Sequence, residues 1–381
     1  MTSLEHALEA LEPLLPPAGT QVVVGVSGGV DSAVTALLLV RAGLSVHAVF
    51  MQNWEDDAAD CTARQDYRDA AAVCAQLGIE IEALNFADEY WDRVFSHFLS
   101  EYKAGRTPNP DVLCNREIKF KAFLDHALAR GAEAIATGHY AQRGTVDSAP
   151  ALLRGTDQDK DQSYFLHALQ SHQLAPALFP LGGMHKSDVR SLAHEAGLHV
   201  HNKKDSTGIC FIGERHFNAF LSTYLPAQPG DIVTEAGETI GRHNGLMYYT
   251  LGQRRGIGVG GRADAATGAW FVADKHLDSN ELLVVQGADH PLLMRRTMRL
   301  EQLSWCRARP ETTELRCTAK IRYRQVDVPC TLVLDEDNTG QLVFDQAVRA
   351  ATPGQSAVFY HDDECLGGGV IADFHSNVAG P

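Results

Sequence analysis

Apolar residues follow two rhythms along this chain. Gln21 to Val26, Ser45 to Met51, Ile79 to Phe86 and Ala134 to Gly138 are short apolar runs rich in β-branched residues, which predicts buried strands. Between and after them, Ser32 to Arg41, Ala63 to Leu77, Tyr90 to Lys103, Asn115 to Arg130 and Ser187 to Glu195 carry helical spacing. Gly43, Gly78, Gly131 and Gly197 stand just past four of these segments, as helix stops do. Strand alternating with helix predicts an α/β unit built on a doubly wound parallel sheet. Met1 to Leu15 reads as a short amphipathic helix stopped by Pro16-Pro17.

The rhythm changes near residue 217. Gly230 to Thr234, Trp270 to Asp274 and Glu281 to Gln286 are short strands separated by Gly, Asn and Asp turns. From about 288 the pattern is all-β: Met298 to Trp305, Glu314 to Tyr323, Val328 to Leu334, Gln341 to Phe344, Ser356 to Tyr360 and Gly369 to Phe374, with Asp362-Asp363-Glu364 as a turn. That spacing suggests a small barrel or sandwich. The expected organisation is an α/β domain over 1–217, a small β-rich domain over 218–287 and a C-terminal β-barrel over 288–381.

At 381 residues and 45% apolar content, the chain can bury a core without disulfide staples, and it is neither collagenous nor low-complexity. The longest clean apolar run, Ala33 to Val40, is far short of a membrane span. The N-terminal segment has no basic region of the kind a secretory or transit peptide carries. A net charge of −15 argues against a nucleic-acid partner, yet two segments oppose the mean. Leu292 to Cys330 holds nine Lys and Arg against four Asp and Glu, and Lys103 to Lys121 holds five against two. Cysteines at 61, 74, 114, 210, 306, 317, 330 and 365 include no C-x-x-C pair, so zinc-finger and cluster chemistry lack their usual spacing. The expected setting is a reducing cytoplasm, with most of these thiols in the core.

The sharpest local signal is Gly25-Val26-Ser27-Gly28-Gly29-Val30-Asp31-Ser32, which joins a buried strand to a helix. Glycines allow close backbone approach, and a helix start offers unpaired N–H groups to an anion. Ser27 and Ser32 add hydroxyls. Asp31 beside a polyanion either orients the loop or holds Mg²⁺. No Gly-Lys-Ser/Thr follows, so this is not a Walker loop. The string resembles the PP-loop of the N-type ATP pyrophosphatases, which cleave ATP between its α and β phosphates and adenylate a carbonyl oxygen.

Two cysteines gain interest beside such a loop. Cys114 is expected just before a helix, capped by Asn115, with Arg116 and Lys119 favouring its thiolate and Asp111 opposing. Cys210 lies in an apolar turn. Each taken alone reads more readily as a buried core cysteine. Taken together, Asn109 to Phe120 (NPDVLCNREIKF), Thr137 to Tyr140 (TGHY), Asp159 to Phe165 (DKDQSYF), Gly208 to Arg215 (GICFIGER) and Tyr249 to Gly258 (YTLGQRRGIG) resemble the tRNA-specific 2-thiouridylase family, in that family's order and over nearly the whole chain.

The resemblance implies ATP-dependent replacement of the C2 oxygen of a wobble uridine by sulfur. It implies that Cys210 carries the sulfur as a persulfide. Cys114 is then either the nucleophile or the thiol that closes a transient disulfide with Cys210. Asp111 becomes the acid/base candidate, and Asn109, Pro110 and Asp111 the segment that meets the base. Gly25 to Ser32, Met51 and Gly138 match the ATP site, with Mg²⁺ accompanying the nucleotide. His139, Lys160, Asp161, Gln162, Arg322, Tyr323 and Gln355 match tRNA contacts. The implied partners are the anticodon stem-loop of tRNA and a sulfur-relay or cysteine-desulfurase donor, with the enzyme a monomer. An amidating ligase on the same loop is the alternative, but 217–381 leaves no room for a glutaminase. A non-catalytic RNA-binding module would need neither the loop nor the paired cysteines. His199 and His201 could form a metal pair, but with no third ligand they read as solvent-facing polar residues. The Gln253-Arg254-Arg255-Gly256 loop either touches RNA or closes over the site.

Overall fold

A computed structural model describes residues 3–54, 62–205, 217–259 and 268–372. β1 (Gln21–Val26) is buried at every position after its first and forms the centre of a five-stranded parallel sheet. β2 (Ser45–Gln52) runs beside it in a register that sets Gln21 opposite Ser45 and Val26 opposite Phe50, and β3 (Ile81–Asn85) lies beyond. β4 (Ala134–Ala136) takes the other side of β1. The chain then makes a hairpin of β5 (Ala141–Val146) and β6 (Ala149–Arg154) before β7 (Ala177–Leu178) completes the order β3-β2-β1-β4-β7. Strand order reverses between β1 and β4, and such a switch point opens a crevice at the carboxyl ends of the strands.

Helices cover the sheet in layers. α1 (Ser3–Leu11), α2 (Val30–Arg41) and α3 (Thr62–Leu77) precede β3. α2 is buried on two sides. Ala36 and Leu39 pack on Val22, Val24 and Val26 of β1. Val34, Leu37 and Leu38 pack on Leu11 of α1 and on Val189 and Leu192 of the Lys186–Glu195 helix. A helix buried this way loses the polar stripe of a surface helix, which is why its sequence reads as nearly continuous hydrophobicity.

β8 (Gly230–Val233), β9 (Thr239–His243), β10 (Trp270–His276) and β11 (Glu281–Gln286) form a second sheet, ordered β10-β11-β8-β9. Tyr249, Leu251 and Ile257 of the Tyr249-to-Gly258 motif fill its core together with Ile232, Val272, Leu282 and Val284. β12 (Met294–Trp305), β13 (Glu314–Lys320), β14 (Val328–Leu334), β15 (Gly340–Arg349), β16 (Ser356–His361) and β17 (Glu364–Ile371) run in the order β12-β15-β14-β13-β16-β17. β17 pairs back onto β12, closing a six-stranded antiparallel barrel. Cys317 and Cys330 face each other across β13 and β14 inside it, with their sulfurs 3.7 Å apart. All six described cysteines are buried and free of disulfides.

One connection was not foreseen. β6 pairs with β17, setting Leu152 opposite Cys365 and Leu153 opposite Glu364, so the hairpin from the first module extends the sheet of the barrel. Its turn places Asp147 and Ser148 at φ 50° and 64°, the conformation usually marked by glycine. Pro150 inside β6 further masks the strand, since proline is disfavoured within sheets.

Candidate functional site

The glycine loop leaves the carboxyl end of β1 at the switch point. Gly28 has φ +73°, and a Cβ there would lie 2.2 Å from the Asp66 carbonyl oxygen, so only glycine lets α3 pack this closely on the loop. Gly29 takes the N-cap position of α2 with no side-chain cap, which leaves the first-turn amides and the positive end of the helix dipole to face an anion. Ser32 is turned inward: its Oγ accepts from Ser27 N at 3.1 Å and donates to Gly29 O at 3.2 Å. Ser27 remains exposed. A Cβ on Gly25 would lie 3.0 Å from Met51 Cε, and one on Gly138 would lie 3.0 Å from Ser32 N. Gly25 to Ser32, Met51 and Gly138 therefore converge at one end of the sheet.

A charged network braces this loop. Lys186 Nζ donates to both oxygens of Asp31 at 2.7 Å, and Tyr140 Oη donates to Asp31 Oδ1 at 2.8 Å. Asp205 binds Lys186 at 2.9 Å, Lys160 at 2.9 Å and Arg190 at 2.7 Å. Lys203 Nζ reaches the Gly28 carbonyl at 3.0 Å, Asp66 at 2.7 Å and Asp69 at 2.5 Å. Both Asp31 oxygens are thus held by an ammonium, an arrangement suited to orienting the loop. Among the described residues no group of three His, Cys, Asp or Glu could hold a metal ion. Lys186, Tyr140, Lys203 and Asp205 escaped the sequence reading because their partners lie far away along the chain.

Burial alone would raise the Asp205 carboxyl, but hydrogen bonds from Lys160 and Lys186 outweigh it and hold the group at about 2. The folded value lies below an unfolded value of roughly 3.9. The stabilisation is thus complete above roughly pH 4 and is lost as pH falls toward 2. Asp205→Asn is expected to melt below wild type at pH 7 and to converge with it near pH 2 in a series of thermal melts. Curves offset equally at every pH would remove the carboxylate's charge from the account.

The Cys114 segment differs from expectation. Asn109 is extended, and Pro110 opens a helix, as proline at a first helical position does; the helix kinks at Phe120 (φ −104°, ψ 17°) and helical turns resume through 129. Cys114 thus lies one turn inside the helix rather than ahead of it. Asn115 does not cap; its Nδ2 donates to Phe165 O at 3.1 Å. Arg116 pairs with Glu117 at 2.8 Å. Turns of π type run from Cys114 to Ala122, a winding often found at functional sites. Asp111, three residues before Cys114, shares its helix face. Cys114 itself is 1% exposed, in a cluster with Phe120, Phe123 and Tyr164 that Met51 also joins. Phe123 lies 3.6 Å from the Cβ position of Gly25. The cysteine helix therefore packs directly on the strand end that carries the loop.

The other two modules grip the approach to this helix. Gln355 Nε2 donates to Thr107 O at 2.7 Å and Pro108 O at 3.3 Å, and Thr107 N donates to Pro353 O at 2.9 Å. Lys275 Nζ donates to Gly105 O at 3.0 Å, and burial pushes its pKa down to about 8. Tyr323 sets its ring 4.5 Å from that of Phe165, beside Asn115.

Several of the residues expected to meet RNA also bond within the protein. His139 is buried, its Nδ1 2.7 Å from Thr137 Oγ1, and burial followed by the Lys119 charge keeps it neutral. Asp161 accepts from Gly155 N at 2.9 Å, Ser163 N at 3.1 Å and Ser163 Oγ at 2.9 Å. Gln162 Oε1 accepts from Tyr140 N at 2.9 Å. Arg322 Nη2 donates to Leu251 O at 2.6 Å and Ala350 O at 2.9 Å. Cys210 and the rest of Gly208 to Arg215 lie outside the described residues. A hollow of about 340 Å³ between α1 and the Lys186–Glu195 helix is lined by none of the site residues.

Comparison with known proteins gives three matching family models. One is described as a tRNA methyl transferase HUP domain over residues 20–214, one as a tRNA methyl transferase PRC-barrel domain over 218–286, and one as an aminomethyltransferase beta-barrel domain over 295–371. A tRNA-specific 2-thiouridylase MnmA of Proteus mirabilis is 58% identical over 92% of this chain and 96% of its own. One from Psychromonas ingrahamii is 56% identical over 93% of this chain and 97% of its own. A solved U34-tRNA thiolase NcsA from Methanococcus maripaludis with its [4Fe-4S] cluster is 18% identical, covers 58% of this chain and 70% of its own, and has a TM-score of 0.38, too loose a likeness to bear on this chain.

Proposed function

We propose a reaction course for a chain that belongs to the tRNA-specific 2-thiouridylase family, with the α/β module adenylating a tRNA uridine and cysteine sulfur displacing the adenylate. The enzyme is a tRNA-uridine sulfurtransferase that makes 2-thiouridine. The reading follows its full-length relatives rather than the methyl-transfer wording of the domain descriptions.

The C2 carbonyl of uridine is urea-like, and oxide is a poor leaving group. The uridine O2 attacks the α phosphorus of ATP, pyrophosphate leaves, and the adenylated C2 becomes electrophilic. The α2 amides and Ser27 receive phosphate oxygens, while Gly138 and Met51 shape the space beside them. Lys186 and Tyr140 hold Asp31, so the loop is set before the nucleotide arrives and little reorganisation is needed. Mg²⁺ rides on the nucleotide phosphates.

Sulfur reaches Cys210 from a donor protein as a persulfide, which is more acidic than a thiol and is anionic at neutral pH. Its outer sulfur forms a bond to C2, and AMP departs with the original oxygen. Cys114 then attacks the inner sulfur of Cys210. The S–S bond to the base breaks, 2-thiouridine is released, and a Cys114–Cys210 disulfide remains for an external thiol to reduce. Asp111, one helical turn from Cys114, carries the proton traffic at the base. Asn109, Pro110 and Asp111 meet that base. The wobble position of a single-stranded anticodon loop can be splayed into such a site. Lys160, Tyr323 and the basic barrel strands meet tRNA, and His139, Asp161, Gln162, Arg322 and Gln355 hold the surface they belong to. The setting is the cytoplasm, and no described helix is long and apolar enough to cross a membrane.

The observation that supports this reading is the Phe123 ring, which follows Cys114 in the chain and lies 3.6 Å from the Cβ position of Gly25 at the loop, so that a nucleotide on the loop would share one end of the sheet with the Cys114 segment. Incubation with ATP, a persulfide donor and unmodified tRNA, followed by nucleoside mass analysis, is expected to show 2-thiouridine and one pyrophosphate per base. Uridine that gains no sulfur while ATP is consumed would overturn the reading.

A further inference from the structure

The Tyr249-to-Gly258 motif, left undecided from sequence, forms a braced turn at the seam between the central sheet and the barrel. Thr250 N donates to Gln253 Oε1 at 3.0 Å, and Gln253 Nε2 donates to Arg255 O at 2.9 Å. Gly252 and Gln253 pair with Val272 through bonds of 2.7 and 3.0 Å. Gly252 and Gly256 take φ +78° and +74°, which let the turn reverse this tightly. Arg254 and Arg255 are thereby presented to solvent with no acceptor among the described residues.

A third arginine faces the same seam. The Arg349 guanidinium sits 4.6 Å over the Phe271 ring, next to the Val272 that pairs with the turn. Its Nε and Nη2 are shielded from solvent yet have no hydrogen-bond partner among the described residues. The next residue, Ala350, accepts from Arg322 and abuts Gly252, where a Cβ would come within 2.5 Å of Ala350 Cβ. Arg322 is pushed down by burial and then by the Arg349 charge, with no carboxylate offsetting it. On a protein of net charge −15, Arg322 and Arg349 lie close together with no carboxylate offsetting Arg322 among the described residues, and the turn that carries Arg254 and Arg255 abuts them through Gly252, an arrangement that calls for an anion. A guanidinium edge with two free N–H donors matches two oxygens of a phosphate. The seam is also continuous with the site, because Tyr323, adjacent to Arg322, packs on Phe165 beside the cysteine helix.

We propose that this seam is an RNA-backbone site in which Arg254, Arg255 and Arg349 receive phosphates of the substrate tRNA outside the anticodon pocket. The inference rests on the thiolation reading above. The phosphate edge of RNA supplies anions at regular spacing, and the exposed Arg254 and Arg255 together with the unpartnered donors of Arg349 offer charge for more than one of them.

The test compares R254Q/R255Q, R349M and R349K with wild type in full-length enzyme. Binding of unmodified tRNA is measured across salt concentration, and thiolation kinetics are measured in parallel. The slope of log K against log salt is expected to lose about two units in the double variant and about one in R349M, with R349K retaining it. The tRNA KM rises about tenfold or more while the ATP KM and kcat hold, since a lost phosphate contact weakens uniform binding. Slopes equal to wild type in the double variant overturn the proposal. A lowered melting temperature of R349M with an unchanged slope would assign Arg349 to packing on Phe271 alone. Weakened sulfur delivery from a donor protein at an unchanged tRNA slope would give the seam to that protein instead. A wild type that binds no tRNA or makes no 2-thiouridine would sink the functional reading rather than this one.

Discussion

Enzyme carrying Cys210→Ser is expected to make no 2-thiouridine, while pyrophosphate release with tRNA and affinity for both substrates stay within about twofold of wild type. Serine cannot hold a persulfide, so chemistry stops after the base is adenylated. Cys114→Ser is expected to stall one step later. Sulfur is then already bonded to C2, and the product stays tethered to Cys210 through a disulfide that no internal thiol can break. A reducing agent added after the reaction would free stoichiometric 2-thiouridine from that variant and none from the serine at 210. Mass analysis of the intact complex separates the two. Thiolation by either variant at the wild-type rate would turn its cysteine into a packing residue. The Cys114 thiol is 1% exposed among aromatic rings. The base must therefore reach a thiol that faces the interior, on a stretch of π-type turns that kinks at Phe120.

Gly28→Ala is expected to cut pyrophosphate formation by at least about 100-fold, because displacement of a positioning loop by roughly 1 Å costs that much. A methyl group at Gly28 would meet the Asp66 carbonyl at 2.2 Å in a backbone conformation with φ +73°, so the loop and α3 must separate. Lys203, which ties Gly28 O to Asp66 and Asp69, would be pulled with them. Affinity for tRNA should hold. Gly78→Ala supplies the control: it has φ +70° but nothing within 4 Å of its Cβ position, so it carries the same backbone strain without the clash. Equal losses in the two variants, measured as pyrophosphate release, would show that strain and not loop placement is responsible.

What the sequence made legible follows from how local each signal is. β1, α2 and the loop between them are written in adjacent residues, and β1 came out with the bounds Gln21–Val26 read from its valines. The closed barrel followed from regular strand spacing. Local signals failed where two were in competition. Asn115 looked like a cap because asparagine often caps, whereas Pro110 already supplied a helix start and the Asn115 amide found the Phe165 carbonyl. The brace around Asp31 was invisible for a different reason. Asp31 and Lys186 are 155 residues apart, and no periodicity links them. His139, Asp161 and Gln162 stand in motifs that resemble RNA contacts, and each also holds a bond within the protein that its motif did not announce. Sequence types report hydrogen-bonding capacity but not the partner that uses it.

The β5–β6 hairpin bears on how this enzyme can be taken apart. Because β6 is stitched to β17, with Leu152 beside Cys365, a fragment ending at residue 217 would keep the hairpin and lose the strand that covers its border. Bare borders of that sort invite stacking between copies. Such a fragment should precipitate, and grafting the adenylating half onto a foreign RNA-reading module would need the hairpin redesigned first.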